Sequence, residues 1–445
     1  MRVPSRPNPT PQGGVRDVKR TDVKQTDVKQ ADVRQARPAD RAGRFEGTTT
    51  NAVYAKSALL QTGAPLPATR KGGLFALYVA RSNGASAREP SASPLVDRLF
   101  PEAGASAPTG APTRARLQDI ESAPLFGTLS AEHQEKLKLI FQVASPSGRA
   151  ALARLMHKEL NGAPVLLDKS APGKTLIDEL DALGRAFMSQ VRLTGVAGED
   201  VMDDMLVHVD DPSTVVQSNR GTCTATSLQF QATRSAPAEV CRVLVGLAKD
   251  EPVTLRSGQT LRPCKDGQQL DSASDRSHAS RLFQSAFMDF MSPPGHRYSN
   301  QADRYVDVRT GRVADKLSGA TRPENLAAPL AAFFGEEVTT VIASDGDRDK
   351  EAKALQLLEE KGNDKTLVAL YWKKSLFSGS GHMVAFDEVK DGRVYFRDPN
   401  GSVLASGMSR FLTGVRVEDE KTGLKSIDVD TFKERVLGVY IPEGR

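Results

Sequence analysis

Apolar residues in the middle of the chain recur at the spacing that places them on one face of a helix. Leu137, Ile140 and Phe141 follow this spacing, and Ser130 is a suitable N-cap for the helix that carries them. The same pattern predicts later helices after Gly148, over 176–188, from 223 to about 233, from 237 to 247 and over 281–291. The first three helices predict a small helical subdomain over 116–200.

The last third of the chain changes to short runs of β-branched and aromatic residues, which are typical of strands. These runs span 338–343, 366–372, 383–389, 393–397 and 436–441. Lys390-Asp391-Gly392 lies between two of them and predicts a tight turn, and Ser257-Gly258 predicts a hairpin over 253–261. Helices that come first and antiparallel strands that come later predict an α+β fold.

The start of the chain follows a different repeat, in which Asp-Val-Lys recurs every five residues. A period of five matches neither a helix nor a strand, so the lone valines of the repeat do not line one face. We therefore predict a disordered basic tail over 1–50. Because Ala, Ser, Pro and Gly dominate the next stretch, we predict a linker over 51–115.

The net charge of the chain is concentrated in this tail. Of the total of +5, residues 1–46 contribute eleven Lys and Arg against six Asp and Glu, and the remaining residues sum to zero. This distribution gives no support for nucleic-acid binding by the folded part. No apolar run approaches the roughly 20 residues of a membrane span, and no secretory signal is visible. We expect a soluble protein that is cytoplasmic or is exported without a conventional signal peptide.

The three cysteines are too few and too irregularly spaced for a disulfide framework or a zinc site, and we expect no cofactor and no metal. Cys241 lies on the apolar side of its predicted helix, which favours a core position, and Cys264 lies in a predicted loop. Cys223 differs, because it begins a predicted helix directly after Gly221-Thr222 and a helix N-terminus lowers the pKa of a thiol.

The residues around Cys223 and His382 supply the groups that thiol acyl transfer needs. Gln217, six residues before the cysteine, carries an amide that can stabilise an oxyanion together with the backbone N–H of Cys223. His382 begins a predicted strand, and Asp398 follows sixteen residues later, beyond the predicted tight turn. In such a hairpin the two residues are expected to be cross-strand neighbours, with the carboxylate orienting the imidazole.

Two short segments of the chain resemble the papain-like cysteine peptidases. Gln217-x5-Cys223, with Gly221 before the cysteine, is similar to their nucleophile segment. His382 followed by Asp398-Pro399 is similar to the His/Asp hairpin of the bacterial double-glycine leader peptidases. Thr224 replaces the aromatic residue that often follows the nucleophile in papain itself.

The resemblance implies a papain-like catalytic domain over 201–445, in which the nucleophile helix packs on an antiparallel sheet. It implies that Cys223 is the nucleophile, that His382 is the base and then the acid, that Asp398 orients His382 and that Gln217 is the oxyanion residue. The implied function is a cysteine peptidase that cleaves a peptide or isopeptide bond in a protein or peptide substrate.

Two other functions are compatible with the same residues. A glutamine deamidase or transglutaminase would use the same triad with a different acyl donor or acceptor. A non-catalytic interaction protein on a papain-like scaffold would act through its tail instead. Among the other histidines, His296 is the most credible substitute for His382.

Overall fold

The computed structural model describes residues 115–186, 198–269, 274–318, 325–343, 347–373, 380–401 and 414–444. The tail predicted over 1–50, and all but the last residue of the linker predicted over 51–115, lie outside them. Within this part of the chain, no helix combines the length and the apolar character that crossing a membrane requires.

The N-terminal half of the described chain is mainly helical. Its helices are α1 (Leu117–Glu121), α2 (Pro124–Thr128), α3 (Ala131–Val143), α4 (Pro146–Leu155), α5 (Leu176–Ala186), α6 (Gly198–Asp210), α7 (Cys223–Ser235), α8 (Pro237–Ala248) and α9 (His278–Phe290).

Local capping explains where several of these helices begin. Ser130 accepts a hydrogen bond from the His133 N–H at the start of α3, which confirms the predicted cap. α4 begins at Pro146, earlier than predicted, because Ser145 caps it and proline suits a first helical position. α7 begins at Cys223, as the sequence predicts.

The helices share one apolar core. α5 packs against α8, and α6 packs against both α4 and α5. Leu152, Leu180, Met205 and Leu244, one from each of these four helices, have no exposed surface. α6 crosses residue 200, where the predicted helical subdomain meets the predicted catalytic domain, so the same core continues across that position.

Short strands alternate with the helices or follow them along the chain. They are β1 (Glu159–Leu160), β2 (Ala163–Pro164), β3 (Val253–Thr254), β4 (Thr260–Leu261), β5 (His296–Ser299), β6 (Arg304–Asp307) and β7 (Val313–Ser318). β3 and β4 form the hairpin predicted over 253–261. β5, β6 and β7 form a three-stranded sheet that the sequence did not predict.

The C-terminal half contains the main sheet. Its strands are β8 (Val338–Ile342), β9 (Leu367–Lys373), β10 (Ser380–Lys390), β11 (Arg393–Arg397), β12 (Val415–Asp419), β13 (Leu424–Asp428) and β14 (Val436–Pro442), accompanied by α10 (Ala327–Phe334), α11 (Arg348–Lys361) and α12 (Val429–Arg435). The strand order is β12-β13-β11-β10-β9-β14-β8, and every pair is antiparallel. Helices together with antiparallel sheets confirm the α+β class.

The β10–β11 turn has the predicted position and form. Asp391 and Gly392 have φ angles of +50° and +70°, the left-handed values that a two-residue hairpin turn of type I′ requires. In the hairpin that this turn closes, Arg397 at the end of β11 lies opposite Ala385, three residues after His382 in β10.

The main sheet separates two cores. In β9, Leu367 and Ala369 belong to the core that includes α7, whereas Val368 and Leu370 belong to a second core with α11 and α12. This alternation follows from the two-residue period of a strand.

α7 is fixed against β10 by side-chain hydrogen bonds to the sheet backbone. Ser227 Oγ donates to the Met383 carbonyl at 3.1 Å. Gln231 Nε2 donates to the carbonyls of Thr366 and Phe386 at 2.9 and 2.7 Å. Because sliding of the helix would break these three buried hydrogen bonds, the N-terminus of α7 is held beside the start of β10.

Candidate active site

Cys223 is the first residue of α7 and is partly exposed. Its thiol is hydrogen-bonded to His382 and lies against the backbone of Met383. Burial alone would raise the pKa of the thiol, but the hydrogen bond and the charge of His382 outweigh burial and lower that pKa. The N–H groups of the first helical turn lack acceptors within the helix, and their partial positive charge also favours the thiolate.

His382, near the start of β10, is buried between Cys223 and Asp398. Its Nε2 lies 3.0 Å from Asp398 Oδ1, so Nδ1 is the ring nitrogen that remains for the thiol. Burial would lower the pKa of His382, but the Asp398 carboxylate, together with Cys223, raises it to about 9. His382 is therefore mainly an imidazolium at neutral pH, and its charge favours the thiolate form of Cys223.

Asp398 directly follows β11, and its side chain has no exposed surface. Besides His382, Oδ1 accepts a hydrogen bond from the Asn400 N–H at 2.9 Å, and Oδ2 pairs with the Lys425 ammonium at 2.5 Å. Burial would raise the pKa of this carboxyl, yet His382 and Lys425 hold it well below its usual range. Asp398 therefore stays ionised at neutral pH.

The turn at residues 398–401 docks on the segment that precedes the nucleophile. The Pro399 carbonyl accepts a hydrogen bond from the Gln217 N–H at 2.8 Å. Gly401 has a φ of +63°, and a Cβ there would lie 2.7 Å from Val216 Cγ1. Only glycine fits both the turn and this contact. The turn therefore couples the position of Asp398 to that of Gln217.

Gln217 is buried, and its side chain reaches the same turn. Its Nε2 donates to Asn400 Oδ1 at 2.7 Å. Gln217 Oε1 and Asn400 Nδ2 are also buried, and neither has a hydrogen-bond partner among the described residues. Rotating both amides by 180° preserves the bond between them and turns the Gln217 N–H groups to where Oε1 now lies. As the amides stand, one of the two N–H groups of the Gln217 amide donates to Asn400.

A buried polar network supports the loop between Gln217 and Cys223 from the α9 side. Thr222 Oγ1 donates to Gln284 Oε1 at 3.0 Å. Gln284 Nε2 in turn donates to Gln229 Oε1 at 3.0 Å and to the Val216 carbonyl at 3.2 Å. One glutamine of α9 thus links the loop to α7.

The other side of this loop is held by the β5–β6 turn. The Gly221 N–H donates to Asp303 Oδ2 at 2.8 Å, and Asp303 Oδ1 accepts a hydrogen bond from the Tyr298 hydroxyl at 2.6 Å. The loop before Cys223 is therefore fixed from both sides.

The other two thiols and the substitute histidine lie in different surroundings. Cys241 has no exposed surface, as the sequence predicts, and burial raises its pKa well above the usual value. Cys264 lies in the loop between β4 and α9, as the sequence predicts, and it is also buried. Its Sγ lies 3.2 Å from Asp266 Oδ1, and burial raises its pKa. His296 Nδ1 faces the Pro294 carbonyl at 3.1 Å, whereas the histidine that contacts Cys223 is His382.

The structure thus joins Cys223, His382 and Asp398 through direct contacts, places Gln217 against the turn that carries Asp398, and adds Asn400 and Lys425. Asn400 was visible in the sequence only as part of an Asp-Pro-Asn-Gly turn. No sequence pattern indicated that Lys425 belongs to the site, because a lone lysine in a strand normally lies at the surface.

Among the described residues, no group of three or more His, Cys, Asp or Glu side chains is arranged to hold a metal ion. Comparisons with protein-family models, with curated proteins and with solved structures find no match for this chain.

Proposed function

We propose that the protein is a papain-like thiol hydrolase, a cysteine peptidase that cleaves a peptide or isopeptide bond in a protein or peptide substrate. The observation that carries the proposal is the unbroken contact from the Cys223 thiol through His382 to the buried Asp398. A thiol at a helix N-terminus, activated by an oriented histidine, is the arrangement that thiol acyl transfer requires.

The reaction proceeds through a thioester. The Cys223 thiolate attacks the carbonyl carbon and forms a C–S bond, while the carbonyl electron pair moves to oxygen. The Cys223 N–H and, after rotation of its amide, Gln217 stabilise this oxyanion. His382 gives its proton to the leaving nitrogen as the C–N bond breaks. Water then gives a proton to His382 and attacks the thioester, which releases the acid and restores the thiolate.

The thiol is the group of the triad that a substrate can reach. Gly221 and Gly381, which come shortly before Cys223 and His382 in the chain, are both exposed. The buried position of His382 and Asp398 leaves the thiol as the accessible member of the triad.

The proposal is tested by limited alkylation with iodoacetamide at pH 6, followed by peptide mass spectrometry. Cys241 and Cys264 in the same molecule are the internal controls, because both are buried with raised pKa values. We expect Cys223 to be labelled first, and about tenfold or more faster than in the His382→Gln variant, because an unpaired thiol is almost fully protonated at this pH.

Incubation with a peptide library then identifies the bond that is cleaved. Equal labelling of Cys223 with and without His382 would contradict the activated thiol. Labelling without any cleavage, together with a one-dalton gain at a substrate glutamine, would show that the protein deamidates its substrate and does not cleave a peptide bond.

A further inference from the structure

Lys425 is the least expected member of the site. It lies in β13, opposite Phe396 of β11, and only 1% of its surface is exposed. Lysine is almost never buried to this extent unless it is paired. Its ammonium points at Asp398 Oδ2, the carboxylate oxygen that His382 does not use.

With Lys425 included, the site is a row of four ionisable groups in alternating charge. Cys223 contacts His382, His382 contacts Asp398, and Asp398 contacts Lys425. When the thiolate and the imidazolium are both charged, the row sums to zero. When both are neutral, the remaining Asp398–Lys425 pair also sums to zero.

We propose that Lys425 is a positioning residue that keeps Asp398 ionised in both protonation states of His382, so that the imidazole can release its proton and take it up again. The inference rests on the proposed function, because it assigns a role within that reaction cycle. Lys425 acts through Asp398 and does not touch the substrate.

The argument follows the proton of His382. After that proton moves to the leaving nitrogen, Asp398 has lost its positive neighbour. A carboxylate with no exposed surface is then costly unless another cation faces it. Lys425 is that cation. Without it, the neutral imidazole is disfavoured, and His382 holds its proton more tightly in the step that needs its release.

Other charged groups near this row do not take over this role. His382 faces Asp398 from β10, Lys425 faces it from β13, and Cys223 of α7 acts through His382. Arg397, the residue before Asp398, interacts instead with another set of charged residues: Asp387, Arg234, Asp419 and Asp211.

Three variants of the full chain separate charge from hydrogen bonding. Lys425→Gln keeps an N–H donor for Asp398 and removes the charge. Lys425→Arg keeps both the donor and the charge and is the conservative control. Lys425→Met removes both and measures the cost of leaving Asp398 without its ammonium partner.

The first readout is the titration of the His382 ring, followed by NMR of histidine-labelled protein and assigned with His382→Gln. We expect Lys425→Gln to raise the pKa of His382 by about one unit or more, because a positive charge near the imidazolium has been removed. Lys425→Arg should stay close to the wild type. The sign matters, since general disruption of the site would expose His382 and bring its pKa down.

The second readout is turnover. A rise of one unit leaves about tenfold less neutral imidazole at a given pH below the pKa, so hydrolysis of the thioester slows by about tenfold in Lys425→Gln. The acyl-enzyme should then accumulate in mass spectra. Cys223 alkylation at pH 6 should persist, since the imidazolium is retained.

A pKa of His382 that is unchanged or lower in folded Lys425→Gln would overturn the role of Lys425. If Lys425→Gln does not fold, the same NMR comparison is made with Lys425→Met, and a failure of both charge-removing variants alongside a folded Lys425→Arg with wild-type turnover would assign Lys425 to stability alone and overturn the proposal. The titration requires no substrate. A shifted pKa without any turnover by the wild type and without any acyl-enzyme in Lys425→Gln would therefore overturn the proposed hydrolase and leave the electrostatic role of Lys425 intact.

Discussion

Two buried histidines of this protein have opposite properties. His208, on α6, is 1% exposed, and its two ring nitrogens face the hydroxyls of Thr214 and Ser277 at 2.7 and 2.8 Å. Burial lowers its pKa to about 4. His382 is 5% exposed, faces a carboxylate and a thiol, and has a pKa raised to about 9.

The comparison teaches that the hydrogen-bond partner of a buried histidine, and not the extent of its burial, decides whether its pKa is raised or lowered. Both rings are removed from water, and desolvation disfavours the imidazolium in both. Asp211 favours the charged form of His208 only weakly, since it acts without a direct bond. Asp398 bonds directly to His382 and overcomes the same desolvation. His208 is a neutral structural link between α6 and the start of α9, whereas His382 is poised to exchange protons.

The largest expected effect is on the rate of hydrolysis, when each of the two histidines is replaced by glutamine. His382→Gln should lower the rate of hydrolysis by about 10³-fold or more, because the group that moves the proton is gone. The matched change, His208→Gln, should leave the rate per folded molecule close to that of the wild type. It should lower the free energy of unfolding by about 1–3 kcal/mol, because Thr214 and Ser277 lose a buried partner.

Kinetics on a cleaved peptide and urea unfolding of the same preparations give the two measurements. A rate loss in His208→Gln as large as that in His382→Gln, with the protein still folded, would break the comparison. It would make His208 part of the chemistry.

The second expected effect makes His382 resemble His208. Asp398→Asn, made together with Lys425→Met so that no ammonium is left unpaired, should bring the pKa of His382 from about 9 to below 6.5. In the wild type, the raised pKa stabilises the fold fully below pH 6.5, and this contribution is lost as the pH rises through about 9.

The double variant should therefore lose the part of the stability decrease between pH 6.5 and 9 that belongs to His382. Its Cys223 should react with iodoacetamide only as the pH approaches the ordinary pKa of a thiol. NMR titration and pH-dependent labelling measure both changes. A pKa of His382 that stays near 9 would show that Asp398 is not the group that raises it.

The sequence predicted the reactive residues of the site better than the contacts that set the pKa values of the two histidines. Cys223, His382 and Asp398 were found because each is marked by its neighbours, a glycine before a helix or a turn after a strand. Gln217 was found by its spacing, but its bond to Asn400 was not foreseen. That bond depends on where the turn at 398–401 docks, which no local pattern specifies.

The partners that set the two pKa values come from distant segments. Lys425 meets Asp398 through the pairing of β11 with β13, and the sequence patterns did not predict β12 or β13. Ser277 meets His208 because α9 begins against α6, which was also not predicted. Amphipathic helices and the β10–β11 turn are local, so they could be predicted. Strand order and helix contacts depend on the whole core.

The smallest expected effect makes His208 resemble His382 without touching the site. Ser277 is the N-cap of α9 and accepts a hydrogen bond from the Ser280 N–H. Aspartate caps helices about as well as serine. Ser277→Asp therefore keeps the cap and brings a carboxylate to the ring of His208. The pKa of His208 should rise from about 4 by about one to three units.

Ser277→Asn is the matched control, because it caps the helix and has nearly the same shape without the charge. Asp204, which accepts a hydrogen bond from the Ala279 N–H, does not act as a second carboxylate that would raise the pKa of His208. Burial raises the pKa of Asp204 to about 8, so it is mostly protonated at neutral pH. NMR titration of His208 in both variants makes the measurement. An equal pKa in Ser277→Asp and Ser277→Asn would mean that a neighbouring carboxylate is not sufficient, and that the raised pKa of His382 depends on its thiol as much as on Asp398.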